Sequence, residues 1–127
     1  LGIADEAKLQ SWFMRRIGRH LQRRGRKLIG WDEILEGGLP PGAAVMSWRG
    51  LDGALAAAKA GHDAVLSPAP VLYLDHRQGE DALEGPGRGK LVTLADVYSF
   101  DPAPATLTPE QQRRILGLQG NLWTEHA

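Results

Sequence analysis

The stretch Lys27-Leu28-Ile29-Gly30-Trp31-Asp32-Glu33 decides the fold. It is a short apolar run that stops abruptly in an aromatic residue and two carboxylates. That is the pattern of a buried strand whose end is presented to something. Residues 43–49, 72–75 and 115–125 repeat the plan, each an apolar run closing on aromatic and charged side chains.

Working outward, residues 4–24 read as a helix. Leu9, Trp12, Phe13, Ile17 and Leu21 recur at three- and four-residue steps and so share one apolar stripe. Trp12 lies on that stripe and reads as core. The arginines between Arg15 and Arg26 mostly fall on other faces, as a solvated helix surface. Asp5 and Glu6 near the start and arginines near the end suit the helix dipole. Gly25 is placed to take the left-handed conformation after the last turn.

A first strand follows over 27–31, then the breaker-rich 36–42, a second strand over 43–47, and an alanine-rich helix over 51–60. Gly61 ends that helix and 64–67 is a third strand. Residues 68–109 are long, irregular and rich in proline and glycine. Within them, 72–75 alternates with period two and 92–97 is a small helix. Thr108-Pro109 is a hydroxyl cap with proline at the first helical position, starting a helix that runs to about Arg114. The later part of 115–125 is predicted as a fourth strand. Strands alternating with helices suggest parallel pairing with helices outside. The link over 32–42 is short and not helical, so from pattern alone an antiparallel hairpin there stays open as well.

The 127 residues suit one domain with a real core. Fifteen basic and fifteen acidic side chains cancel, which gives no field favouring nucleic acid or an anionic membrane. No apolar run approaches the roughly 18 residues of a membrane span. There is no cysteine, which removes disulfides, thiolate metal sites and a cysteine nucleophile and leaves the compartment unknown. The chain does not start with methionine and is expected to be a fragment. His62-Asp63 reads as a local turn contact. His20, His76 and His126 show no metal-ligand spacing, and no cofactor is expected.

Chemistry in a parallel α/β sheet collects at the carboxyl ends of strands. Trp31, Trp48 and Trp123 are expected there. Tyr73 with Asp75, and Trp123 with Glu125, are each an aromatic and a carboxylate two residues apart, on one strand face. An indole face beside carboxylates that accept paired hydroxyls is the chemistry of a sugar site. Asp32 and Glu33 are neighbours and face opposite sides of a regular strand. Trp31 and Glu33 share a face, and Asp32 reads equally well as a structural hydrogen-bond acceptor.

The ordered series Gly30-Trp31-Asp32-Glu33, Met46-Ser47-Trp48-Arg49-Gly50, Gly61-His62-Asp63, Ser67-Pro68, Tyr73-Leu74-Asp75, Val97-Tyr98, Asp101-Pro102, Leu116-Gly117-Leu118-Gln119 and Asn121-Leu122-Trp123-Thr124-Glu125 closely resembles the β-N-acetylhexosaminidases of glycoside hydrolase family 20. The resemblance runs over nearly the whole chain. It implies the C-terminal half of a (β/α)8 TIM barrel, strands five to eight preceded by the fourth helix, with residues 1–127 a partial catalytic domain. It also implies a loop in place of a helix after the fifth strand, and that 68–109 is the loop region following the seventh.

Family chemistry is substrate-assisted and retaining: the sugar's 2-acetamido oxygen attacks the anomeric carbon while a glutamic acid protonates the leaving oxygen. The resemblance implies that Trp31 and Trp48 wall the acetamido pocket and that Trp123 is the stacking floor. It implies that Asp75 and Glu125 bind sugar hydroxyls. Tyr73 would donate its hydroxyl to the acetamido oxygen, stabilising the oxazolinium intermediate. The family's catalytic Asp-Glu pair belongs to a His-x-Gly-Gly-Asp-Glu motif that this sequence lacks, so the chain alone is expected to be inactive. The implied partners are an N-acetylhexosamine-terminated glycan and the missing N-terminal half of the barrel. The alternative is a non-catalytic half barrel that binds carbohydrate or self-associates through its open edges.

Overall fold

A computed structural model describes residues 2–3, 5–80, 84–85 and 87–124. Four strands form one sheet in the order β1 (Ile29–Trp31), β2 (Ala44–Ser47), β3 (Ala64–Leu66) and β4 (Ile115–Leu118). Every pairing is parallel: Ile29 lies beside Ala44, Val45 beside Ala64 and Leu66 beside Leu118. The hairpin left open by the sequence pattern is therefore not formed. The link from β1 to β2 holds only a 3-10 turn, Asp32–Leu35, followed by a glycine-proline corner.

Helix α1 (Glu6–Gln22) begins under the side chain of Asp5, which accepts the Lys8 N–H at 2.7 Å. Beyond its end Gly25 sits at φ 68°, and the Arg26 N–H returns to the Leu21 carbonyl. The stripe expected on this helix is only partly right. Met14, Ile17 and Leu21 pack on the core, whereas Leu9 and Phe13 are about half exposed. Trp12 is half-buried and stands outside the core cluster, with the Arg16 guanidinium 5.0 Å from its ring.

The cause lies in how α1 docks. The Ser11 hydroxyl donates to the Gly38 carbonyl at 2.7 Å, and a side chain at Gly37 would run into the backbone carbonyl of Ala7. Ala7 and Ser11 are small enough to let that turn approach. This rotates the larger Leu9 and Phe13 aside.

The core is built from Leu28, Ile34, Val45, Ala54, Ala57, Ala64 and Leu66. Helix α2 (Asp52–Lys59) presents its buried alanines, Ala54, Ala57 and Ala58, toward β2 and β3. At its first turn Gly53 leaves room for Asp32 and Ser47: an added Cβ would lie 2.7 Å from the Asp32 Cβ and 2.8 Å from the Ser47 Oγ. Met46 and Val65 point to the other sheet face and stay partly accessible, and Ile29 on that face is 51% exposed.

The third segment departs from the pattern. After β3 the chain makes one helical turn, α3 (Ala69–Leu72), which the sequence reading missed. It then returns to the sheet at Tyr73, which bridges in parallel to Asn121. The small helix expected at 92–97 is α4 (Leu94–Tyr98), and the Thr108-Pro109 start opens α5 (Pro109–Gln112); both carry a complete capping box. The last strand is the earlier part of 115–125, not the later part. Gly117, at φ 147°, and a register shift between Ala64 and Val65 mark its irregular pairing. Trp123 therefore lies beyond the strand, held near the sheet through the Asn121 bridge.

Gly37 and Gly25 separate two costs in a urea-denaturation series. Gly25→Ala meets open space and should lose about 1 kcal/mol through left-handed strain alone. Gly37→Ala adds a backbone collision with α1 and should lose about 2–4 kcal/mol. Equal losses at both positions would mean that α1 does not dock on this turn.

Candidate functional site

Trp31 ends β1 with ψ 163°, and the next residue enters the 3-10 turn. That immediate turn parts the two carboxylates. Asp32 goes inward, 5% exposed, where its Oδ2 accepts the Arg49 backbone N–H at 3.2 Å and the Ser47 hydroxyl at 3.4 Å. Glu33 goes outward on the Trp31 side. Both of its oxygens accept the Trp48 indole N–H, at 3.0 and 3.1 Å, and Arg49 lies 3.2 Å from one of them. Asp32 is thus a structural hydrogen-bond acceptor.

Burial raises the Asp32 carboxyl above the usual aspartate value, and the neighbouring Glu33 adds to this. The Arg49 N–H and guanidinium act against the rise. Burial also works against ionisation of Glu33. There the hydrogen bonds from its own backbone N–H and from Trp48, with the Arg49 charge, outweigh it and hold the carboxyl below its usual value.

Trp31, Glu33, Trp48, Tyr73, Arg88 and Trp123 line an open cavity of about 310 Å³. Trp31 and Trp123 have ring centroids 6.4 Å apart, Trp123 and Tyr73 6.4 Å, and Tyr73 and Trp48 6.5 Å. β1 and β4 stand three strand spacings apart, roughly 14 Å in a flat sheet. Their neighbouring aromatics meet because Trp123 lies beyond β4, where the chain continues past the strand. Tyr73 is 4% exposed, and burial raises its phenol above the usual tyrosine value, so the hydroxyl stays protonated at neutral pH. The Arg88 guanidinium lies 5.4 Å from the Tyr73 ring centroid and 4.0 Å from the Asp75 carboxylate.

Four of the residues singled out from the sequence therefore come together: Trp31, Trp48, Tyr73 and Trp123. Asp75 lies one step behind Arg88. Its carboxylate is 8% exposed, and neither oxygen accepts a hydrogen bond among the described residues. Glu125 and His126 lie outside the described residues. His62 bonds the Ala43 carbonyl at 2.8 Å and Asp63 pairs with Arg114 at 3.2 Å, so these two residues tie their turn to distant parts of the chain and do not make the local turn contact expected from the sequence.

Two lining residues were not selected from the sequence. Glu33 carried a signal, since it shares the face of Trp31. Arg88 carried none: it reaches the cavity because its backbone N–H bonds the Asp75 carbonyl at 2.9 Å, while Gly87 packs tightly against Arg77. A second hollow of about 540 Å³, along α1 by Phe13, Arg16 and Arg23, is remote from these groups. No group of three His, Asp or Glu among the described residues is placed to hold a metal ion. Nor is any of their helices long and apolar enough to cross a membrane.

The model of the glycosyl hydrolase family 20 catalytic domain matches residues 1–127. The chain belongs to glycosyl hydrolase family 20. It is 48% identical over 126 residues to a beta-hexosaminidase of Porphyromonas gingivalis, covering 98% of this chain and 16% of that protein. It is 35% identical over 108 residues to a beta-N-acetylhexosaminidase of Cellulomonas fimi, covering 80% of this chain and 21% of that one. Among solved structures, the family 20 exo-β-N-acetylglucosaminidase of Vibrio harveyi in complex with N-acetylglucosamine superposes with a TM-score of 0.83. It shares 31% identity over 95% of this chain and 19% of that one. The chain thus spans about a fifth or less of these relatives' length. Its four parallel strands with their helices form part of the family's α/β barrel.

The opposed shifts of Asp32 and Glu33 make a testable pH signature. Asp32 holds its proton more tightly folded than unfolded. Its contribution therefore falls as pH rises from the usual aspartate value to its folded value. Glu33 contributes above the usual glutamate value and loses that contribution as pH falls through its lower folded value. Denaturation at a series of pH values should show Asp32→Asn flattening the upper of these slopes and Glu33→Gln the lower. A reversed assignment would contradict the burial of Asp32.

Proposed function

We propose that this chain forms the acetamido-binding side of the active site of a β-N-acetylhexosaminidase, acting on terminal N-acetylglucosamine or N-acetylgalactosamine. The observation that carries this reading is the closure of Trp31, Trp48, Tyr73 and Trp123 around one cavity, with a protonated phenol among the rings. Indole faces pack on the C–H surfaces of a sugar and its N-acetyl methyl group. The Tyr73 hydroxyl donates to the acetamido oxygen. Asp75 and Glu125 accept sugar hydroxyls.

In this reading the acetamido oxygen attacks the anomeric carbon as the glycosidic C–O bond breaks, and the leaving oxygen takes a proton from a glutamic acid. Water then attacks the anomeric carbon of the oxazolinium, giving a proton to that same glutamate carboxylate as the bond from the carbon to the acetamido oxygen breaks, and this restores the acetamide and the acid with net retention. Tyr73 is placed to stabilise the acetamido group as charge spreads over it. The 127 residues contain no His-x-Gly-Gly-Asp-Glu motif to supply the proton donor.

The isolated chain should bind N-acetylglucosamine weakly and should not hydrolyse an aryl N-acetylglucosaminide. Turnover clearly above a Tyr73→Phe control would overturn the assignment of the acid elsewhere. In an enzyme that joins this chain to a segment carrying that motif, Tyr73→Phe should lower kcat by about 100- to 1000-fold. A loss below about threefold would remove Tyr73 from the mechanism.

A second reading, a half barrel that associates with its own kind, is favoured by the one-sided pairing of β1 and β4 and by the exposed Ile29 and Leu116. Light scattering decides it. A stable monomer at micromolar concentration counts against self-association.

A further inference from the structure

Trp48 stands just beyond the end of β2. Its ring edge is bonded from the neighbouring strand's end. Both Glu33 oxygens face the indole N–H and share its one proton in a bifurcated hydrogen bond, at 3.0 and 3.1 Å.

Glu33 is itself restrained twice. Its backbone carbonyl accepts the Gln10 side-chain amide at 3.0 Å, which ties the 3-10 turn to α1. Its carboxylate is paired with the Arg49 guanidinium at 3.2 Å. Arg49 in turn is gripped by Glu36 at 3.1 Å and by buried Asp32, whose Oδ1 lies 3.6 Å from its Nε. The same guanidinium sits 5.8 Å from the Trp48 ring centroid. Edge and face of one tryptophan are thus fixed by two charged residues that are paired with each other. On the cavity side, that ring meets Tyr73.

We propose that Glu33 is a positioning residue: held by Arg49, it sets the orientation of Trp48 and thereby the shape of the cavity that admits the acetamido group. The inference rests on the acetamido reading of the cavity. It adds that selectivity for the N-acetyl group depends on a carboxylate that need not touch the sugar.

The test uses the full chain and reads the clamp and the sugar separately. Exchange of each indole N–H is followed by NMR in wild type, Glu33→Ala and Glu33→Gln, with circular dichroism as the control for folding. The Trp48 N–H should exchange about tenfold faster in Glu33→Ala, while those of Trp31 and Trp123 change by less than about twofold. Glu33→Gln keeps a carbonyl acceptor and should retain most of the protection. It also stands in for Glu33→Ala if that variant does not fold, with a shifted Trp48 N–H resonance as its readout. In parallel, the preference for N-acetylglucosamine over glucose should fall about tenfold in Glu33→Ala and less in Glu33→Gln.

Unchanged Trp48 exchange in a folded Glu33→Ala chain, or an unshifted resonance in Glu33→Gln, overturns the clamp. Faster exchange with an undiminished sugar preference overturns its role in selectivity. A wild-type chain that shows no preference for N-acetylglucosamine, while Trp48 still responds to Glu33, overturns the acetamido reading instead and leaves the clamp standing.

Discussion

Parallel pairing of β1 with β2 forces the chain to travel back along a strand within residues 32–43, without a crossover helix to do it. The solution is to turn at once. A 3-10 turn starts on the residue after Trp31, and a corner with Gly37 and Gly38 at positive φ brings the chain back to β2. Much else depends on that turn. It sends Asp32 under α2 and Glu33 toward the cavity. It also gives α1 a surface close enough to dock through Ala7 and Ser11, which rotates Leu9 and Phe13 out of the core.

The site grows from the same constraint. Buried Asp32 accepts the backbone N–H of Arg49 and so fixes where β2 leaves the sheet. Arg49 then reaches Glu33 and Glu36 across the turn. Burying a carboxylate is costly unless it is hydrogen-bonded and paired. Asp32 meets this at Oδ2, while its buried Oδ1 has only the Arg49 guanidinium at 3.6 Å, and burial keeps the carboxyl raised. The opposed shifts of the two adjacent carboxyls are the electrostatic trace of this division, one group held in and the other held open.

Most of the fold was legible along the chain. The first two tryptophan-bearing strands, the alanine-rich helix and the proline-started helix at Thr108 follow from period, breakers and caps, and each of these formed within a few residues of its expected place. The misses have physical causes. The helical turn at Ala69–Leu72 is too short to show a period. The last strand was sought in the later, more aromatic part of its stretch, whereas pairing to β3 selects Ile115–Leu118. For α1, periodicity finds an apolar stripe. It does not reveal that a close contact with a glycine turn moves the stripe off the core.

The sequence by itself determined that the chain alternates strands and helices, that its aromatic and acidic residues gather after the strands, and that its ordered motifs are those of family 20. Those are local properties, written in spacing and residue type. Tertiary structure alone decided that Arg88 joins the cavity and that Trp31, at the end of one edge strand, meets Trp123, which lies beyond the other. Such contacts depend on strand order and on where the backbone turns, and neither is encoded within a few residues of the side chains it brings together.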